Sequence, residues 1–168
     1  MASPVELFRR LTNGIYAVTA RYDGAAGAFT AAWVTQVSFE PLLLAISVNP
    51  GNATWALMEK SRRFIVNVLA SDQHELARHF GLQSGRTVDK LAGVRTVFSD
   101  GPPILGDAIA WLDCRLEQQV PAGDHIVVLA RVAGGDVLNP KATPLRYSET
   151  GSMDGSASLY PRVFPEDT

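Results

Sequence analysis

Between Phe29 and Leu44 the chain reads FTAAWVTQVSFEPLLL, with Thr30, Thr35, Gln36 and Ser38 standing among apolar neighbours. A hydroxyl or amide enclosed by apolar side chains costs about 1–3 kcal/mol when nothing bonds to it. A ligand with polar edges would satisfy such groups. The plainer alternative makes Thr35, Gln36 and Ser38 solvated turn residues that close one strand before Glu40-Pro41 opens the next. A second candidate is Asn49-Pro50-Gly51-Asn52-Ala53-Thr54. Backbone N–H groups at a helix start, helped by the Asn52 and Thr54 side chains, form a cradle for a phosphate, and a solvated helix cap fits the same residues. Arg78 either supplies the compensating charge or faces water. His125, after Gly123-Asp124 at a strand entrance, suits an anionic or aromatic ligand, or is a solvated turn residue.

Other chemistry finds little support. Ser71 with His74 or His79 shares a helix start, without a strained elbow or an orienting carboxylate, so capping explains it better than nucleophilic catalysis. Carboxylates nowhere form a spaced pair inside apolar sequence, which disfavours glycosidase chemistry. One cysteine, Cys114, and three scattered histidines match no zinc-site spacing. A net charge of −2 without a basic cluster leaves no electrostatic footprint for nucleic acid or anionic lipid. The N-terminus lacks the apolar run of a signal peptide, and no stretch approaches the roughly 20 apolar residues of a membrane helix. A reducing, cytoplasmic setting is expected.

The 168 residues, 46% apolar and 19% charged, suit one globular domain over 1–168 with a core that needs no disulfide or metal. Ser3-Pro4-Val5-Glu6 carries a capping box and predicts a short helix to about Leu11. Ile15 to Tyr22 reads as a strand, Asp23 to Gly27 as a turn, and a second strand begins near Ala28. Leu42 to Val48 is a short apolar run suited to a strand buried on both faces. Asn52 caps a helix from about Ala53 to Lys60. Phe64 to Leu69 is the next strand, interrupted by a polar Asn67 whose side chain is expected to bond to backbone. Asp72 and Glu75 have capping-box spacing for a helix that ends at Gly81.

From Gln83 to Pro103 the chain is turn-rich and reads as a surface connection. Ala110, Leu112, Cys114 and Leu116 alternate with Trp111, Asp113, Arg115 and Glu117, as in a half-buried strand. A turn over Pro121 to Asp124 leads into a strand from His125 to Val132. A short last strand is expected at Leu145 to Tyr147. Residues 151–168 read as an extended C-terminal tail, ordered only where a partner holds it. About six strands with short helices between them point to an antiparallel barrel or sandwich, and the absence of a strand followed by G-x-G-x-x-G disfavours a dinucleotide-binding α/β fold.

Four ordered segments, NGIYAVTA (13–20), AAWVTQVSFEPLLLAISVN (31–49), FIVNVLASDQHELARHF (64–80) and AGDHIVVLARV (122–132), together resemble the flavin reductase-like family of FMN-binding split-barrel proteins. That family includes the short reductase components of two-component flavin monooxygenases. The resemblance implies a mainly β fold, an antiparallel Greek-key split β-barrel with a few short peripheral helices. It also implies a homodimer with flavin in a groove at its interface, FMN or alternatively FAD, and hydride supplied by NADH or NADPH.

Carried over by position, the isoalloxazine-binding strand falls on Ala32, Trp33, Val34, Thr35, Gln36, Val37 and Ser38. The phosphate segment falls on Asn49, Gly51, Asn52 and Thr54, and the helix contributes Arg78 and Phe80. His125 and Tyr147 stand on the nicotinamide side. A protein nucleophile or base is not required, because the cofactor carries the redox chemistry. The implied activity is NAD(P)H-dependent flavin reduction, with a flavin-dependent monooxygenase as a partner that would use the product. The alternative is an electron-transfer protein that holds FMN tightly and uses NAD(P)H little. The family's usual C-terminal pattern differs from PLRYSETGSM at 144–153.

Overall fold

The computed structural model describes residues 2–97 and 100–164; positions 98–99 of the surface connection and 165–168 of the tail lie outside the described residues. Helix α1 (Pro4–Phe8) starts at the expected capping box, with Ser3 N–H donating to Glu6 Oε2 at 2.7 Å. It ends three residues sooner than the expected Leu11, in 3-10-type turns where Arg10 N–H bonds to Leu7 O and Leu11 N–H to Phe8 O.

Strands β1 (Tyr16–Tyr22) and β2 (Ala25–Ala31) join through Asp23-Gly24, whose φ values of 49° and 77° are both positive. That sign pattern is the type I′ turn, which matches the twist of the strands it connects. Two left-handed residues complete the reversal, so β2 begins at Ala25 and not near Ala28. After β3 (Val34–Ser38) and β4 (Leu43–Val48), helix α2 (Ala53–Ser61) begins at Asn52, whose Oδ1 accepts from Thr54 N–H at 2.9 Å. Gly27 lets β2 approach that helix, since a Cβ there would stand 2.7 Å from Thr54 Oγ1.

Strand β5 (Arg63–Val68) precedes α3 (His74–Leu82). The Asp72/Glu75 box does not form; Gln73 occupies the cap position, and its side chain instead takes Ala70 N–H at 2.8 Å and donates to Asp107 O at 2.9 Å. The connection also holds a small hairpin of β6 (Thr96–Val97) and β7 (Ile104–Leu105). Strands β8 (Ala110–Ala122) and β9 (His125–Val137) form a hairpin longer than alternation predicted, turning only at Gly123-Asp124. The strand expected at 145–147 reduces to isolated bridges, Gly14 with Arg146 and Ala70 with Pro144, followed by a 3-10 turn at Tyr147–Glu149.

The main sheet is antiparallel throughout, in the order β2-β1-β5-β8-β9-β4-β3. Its inner face wraps one core in which Val18 and Phe29, from one end of that order, meet Leu44 and Ile46 from the other, with Trp55 and Met58 of α2 filling the interior. The β2 and β3 edges do not pair, so this mainly β fold is a split barrel. A second core lies outside β1, β2 and β5, where Ala77 and Phe80 of α3 pack with Ile15, Leu69, Leu105 and Leu145. Asn67 is fully buried and fully engaged: Nδ2 donates to Ala17 O at 3.0 Å and Oδ1 accepts from Leu105 N–H at 2.9 Å. Among the described residues no helix is long and apolar enough to cross a membrane.

Candidate functional site

A cleft of about 310 Å³ opens where β2 ends, β9 begins and α3 passes. One wall is apolar, built from Phe29, Ala31, Ala32, Trp33 and Leu82; Ser47, Asn49 and Asn52 bring polar groups, and Arg78 brings a guanidinium. His125 and Tyr147 border the same space. Thr30 Oγ1 donates to Ala77 O at 2.6 Å, fixing α3 against the strand that lines the cleft. With Ala77 and Phe80 buried beneath it, α3 leaves Arg78 exposed beside the opening, without a carboxylate partner among the described residues.

The two asparagines are held by their carbonyl oxygens. Asn49 Oδ1 accepts from Gly51 N–H at 2.8 Å and Asn52 Oδ1 from Thr54 N–H at 2.9 Å. Their Nδ2 groups, which can only donate, remain without a partner among the described residues. Ser47 N–H bonds to Trp33 O at 3.0 Å, which pins the β2–β3 link over β4. Trp33 then packs on His125, with ring centroids 5.0 Å apart. His125 Nδ1–H donates to Asp124 Oδ1 at 2.8 Å, and that bond holds the Asp124 carboxyl below its ordinary range.

Of the residues singled out by sequence, Ala32, Trp33, Asn49, Asn52, Arg78, His125 and Tyr147 meet in this cleft. Others do not. Gly51 lines an adjoining groove with Ala53, Ser84 and Lys90. Val34, Thr35 and Gln36 line a separate groove with Tyr16, Leu44 and Leu112, because β3 runs on along the sheet edge after Trp33. Thr35 Oγ1 donates to Gln36 O at 3.4 Å and Gln36 Nε2 to Ser38 O at 3.3 Å, so these polar groups are met locally around a bulge between Gln36 and Ser38. Val37 is exposed and Ser38 half-buried. Thr54 and Phe80 are buried, Thr54 against β2 and Phe80 in the outer core, and neither borders the cleft.

The C-terminal segment is the main addition. Rather than trailing away, it folds over one side of the cleft, lining it with Met153, Asp154, Ser156 and Leu159. Tyr147 Oη donates to Asp154 Oδ2 at 2.8 Å and lies 2.8 Å from Ser156 Oγ, while Met153 packs on the outer core. Burial of Tyr147 raises its pKa. Lys90, also unmarked by sequence, is 5% exposed, and its Nζ donates to Ala28 O at 3.0 Å and Phe80 O at 2.7 Å. It ties the surface connection to β2 and the end of α3. Away from the cleft, Asp113 pairs with both Arg63 and Arg115 and forms a self-satisfied structural cluster.

Residues 8–156 match the family model described as "Flavin reductase like domain". The chain belongs to the flavin reductase-like family. A relative, Diflavin flavoprotein A 1 of Synechocystis sp., is 33% identical over an alignment of 146 residues, with 85% of this chain and 26% of that protein covered. The chain thus spans about a quarter of that relative's length. Among solved structures, nitrilotriacetate monooxygenase component B from Mycobacterium thermoresistibile superposes with a TM-score of 0.76 at 28% identity, covering 87% of this chain and 83% of that one. The NADH:FAD oxidoreductase of Streptomyces globisporus gives 0.79 at 25% identity, covering 95% and 90%.

Proposed function

We propose that this flavin reductase-like protein binds FMN, or FAD, in the cleft and reduces it with NADH or NADPH. The observation that carries this reading is the meeting of Trp33 and His125 on one side with Asn49, Asn52 and Arg78 on another. The donor set fits a flat, phosphorylated ring system: an apolar and aromatic wall, amide donors without acceptor competition, and one unpaired guanidinium for a phosphate. Arg78 and the Asn49–Asn52 segment would hold the phosphate, and Ala31 to Trp33 the ring. His125, held at Nδ1 by Asp124, presents its other nitrogen as an orienting group on the nicotinamide side.

A flavin bound there would supply two-electron redox chemistry towards a reduced nicotinamide, and the chain would contribute placement and exclusion of water. A cytoplasmic setting, where reduced nicotinamide is abundant and Cys114 stays a thiol, belongs to the same reading. So does delivery of reduced flavin to a partner monooxygenase, as the likeness to a monooxygenase component B supports.

The same reading includes a homodimer. Trp33, Val37, Phe39 and Leu42 lie exposed on and beside the unpaired β3 edge, Phe39 at 88%. An isologous two-fold contact would cover them. Light scattering at micromolar concentration should report twice the chain mass, and a monomer would remove this part of the proposal.

A second reading, a carrier that holds flavin and uses NAD(P)H slowly, is favoured by one feature: the C-terminal segment lines the cleft beside the same space as His125. Addition of NADH under nitrogen to the FMN-loaded protein separates the two. Rapid bleaching of the flavin absorbance, with turnover when free FMN is added, supports the reductase. Retention of oxidised flavin supports the carrier.

A further inference from the structure

We propose that Asp154 makes this cleft select the nicotinamide dinucleotide that lacks a 2′-phosphate over the one that carries it. The inference rests on the reading of the cleft as the place where a dinucleotide meets the flavin, and it names which dinucleotide that is.

Asp154 lines the cleft from the C-terminal segment, together with Tyr147 and Ser156. Both of its oxygens are anchored, Oδ2 by Tyr147 Oη at 2.8 Å and Oδ1 by Ser156 N–H at 3.0 Å. A carboxylate has about four acceptor positions, so two hydrogen bonds fix its direction and leave capacity for a ribose hydroxyl. Among the described residues that line the cleft, Arg78 is the single guanidinium or ammonium group. The proposed flavin phosphate occupies it. Lys90, buried nearby, is committed to two backbone carbonyls, Ala28 O and Phe80 O.

A 2′-phosphate brought to this wall would therefore meet a fixed negative charge and, among the described residues that line the cleft, no guanidinium or ammonium group besides Arg78. A carboxylate that accepts from a ribose 2′-hydroxyl, against an arginine that pairs with a 2′-phosphate, is the general chemical basis for telling the two dinucleotides apart. The fold differs here, but the recognition chemistry is the same.

The test compares the parent with Asp154→Asn, which keeps shape and removes charge, and Asp154→Lys, which inverts it. Two readouts are taken: kcat/KM for NADH and NADPH with FMN saturating, and titration of NAD+ and NADP+ followed by tryptophan fluorescence without turnover. The parent should favour the unphosphorylated dinucleotide by about tenfold or more, within what like-charge juxtaposition costs. The ratio should fall about fivefold or more in Asp154→Asn and reverse in Asp154→Lys, in both readouts. A parent ratio near unity, or a ratio unmoved in both variants, overturns the proposal. Discrimination in the titration without hydride transfer keeps the selectivity and sinks the reductase reading. Failure of both dinucleotides to bind sinks the selectivity and the reductase reading together.

Discussion

Trp33 and His125 meet at the cleft with ring centroids 5.0 Å apart and planes inclined by 58°. One side chain leaves the β2–β3 link and the other opens β9, so the pair forms only when the sheet has curled. Asp124, the residue before His125, fixes the imidazole through Nδ1. The histidine side chain is 21% exposed, less than a freely solvated turn residue would be. Its second nitrogen is left to act on whatever enters the cleft.

His125→Ala should weaken use of NAD(P)H while FMN affinity stays nearly unchanged. Loss of one hydrogen bond to the dinucleotide corresponds to about 1–3 kcal/mol, or roughly 5- to 150-fold in kcat/KM. Stopped-flow reduction of the FMN-saturated variant checks it. Reduction at the parent's rate would move the nicotinamide away from His125.

Arg78→Ala should fail in the opposite assay. With an exposed guanidinium as phosphate partner, the FMN dissociation constant should rise about tenfold at low salt, and less as salt screens the pair. Riboflavin, which has no phosphate, should bind parent and variant alike in the same titration.

Asn67→Ala tests the core rather than the cleft. It would strand the N–H of Leu105 in a region without solvent, while Ala17 O keeps its backbone partner in the β1–β5 ladder. Urea unfolding should show a loss of about 2–4 kcal/mol, with the denaturant slope retained. A loss below about 1 kcal/mol would mean that backbone groups find other partners.

Cys114 is buried, and burial with the neighbouring Asp113 carboxylate pushes its thiol up to about 12. Because the thiolate is the reactive form, the native protein should resist a thiol reagent at about pH 8 and react at once when unfolded. Fast labelling of native protein would contradict that burial.

Local signals in the sequence were legible wherever a residue acts on its own neighbours. Asn52 caps α2, Ser3 and Glu6 close their box, and Asn67 breaks an apolar row because it serves the backbone on both sides. The far ends of β8 and β9 were not legible. Gln118, Gln119 and Val120 pair with Leu129, Val128 and Val127 but are themselves exposed, so no alternation marks them. Likewise the Asp72/Glu75 spacing promised a cap that Gln73 supplies through contacts to Ala70 and Asp107, the latter remote in sequence.

The strand that the family resemblance puts at the flavin is divided between two grooves in the structure. Ala32 and Trp33 border the cleft, while Thr35 and Gln36 pass to another groove. The C-terminal wall was hidden for a different reason. Its order comes from turns and from Tyr147, Met153, Asp154 and Ser156 meeting in space, which leaves no periodicity to read.

Titration of the purified chain with FMN, followed by quenching of flavin fluorescence, bears most directly on the cleft as a flavin site. A saturable, stoichiometric curve is expected, shifted to weaker binding by Arg78→Ala and left in place by His125→Ala. Absence of saturable binding of FMN, FAD and riboflavin to the folded protein would contradict it.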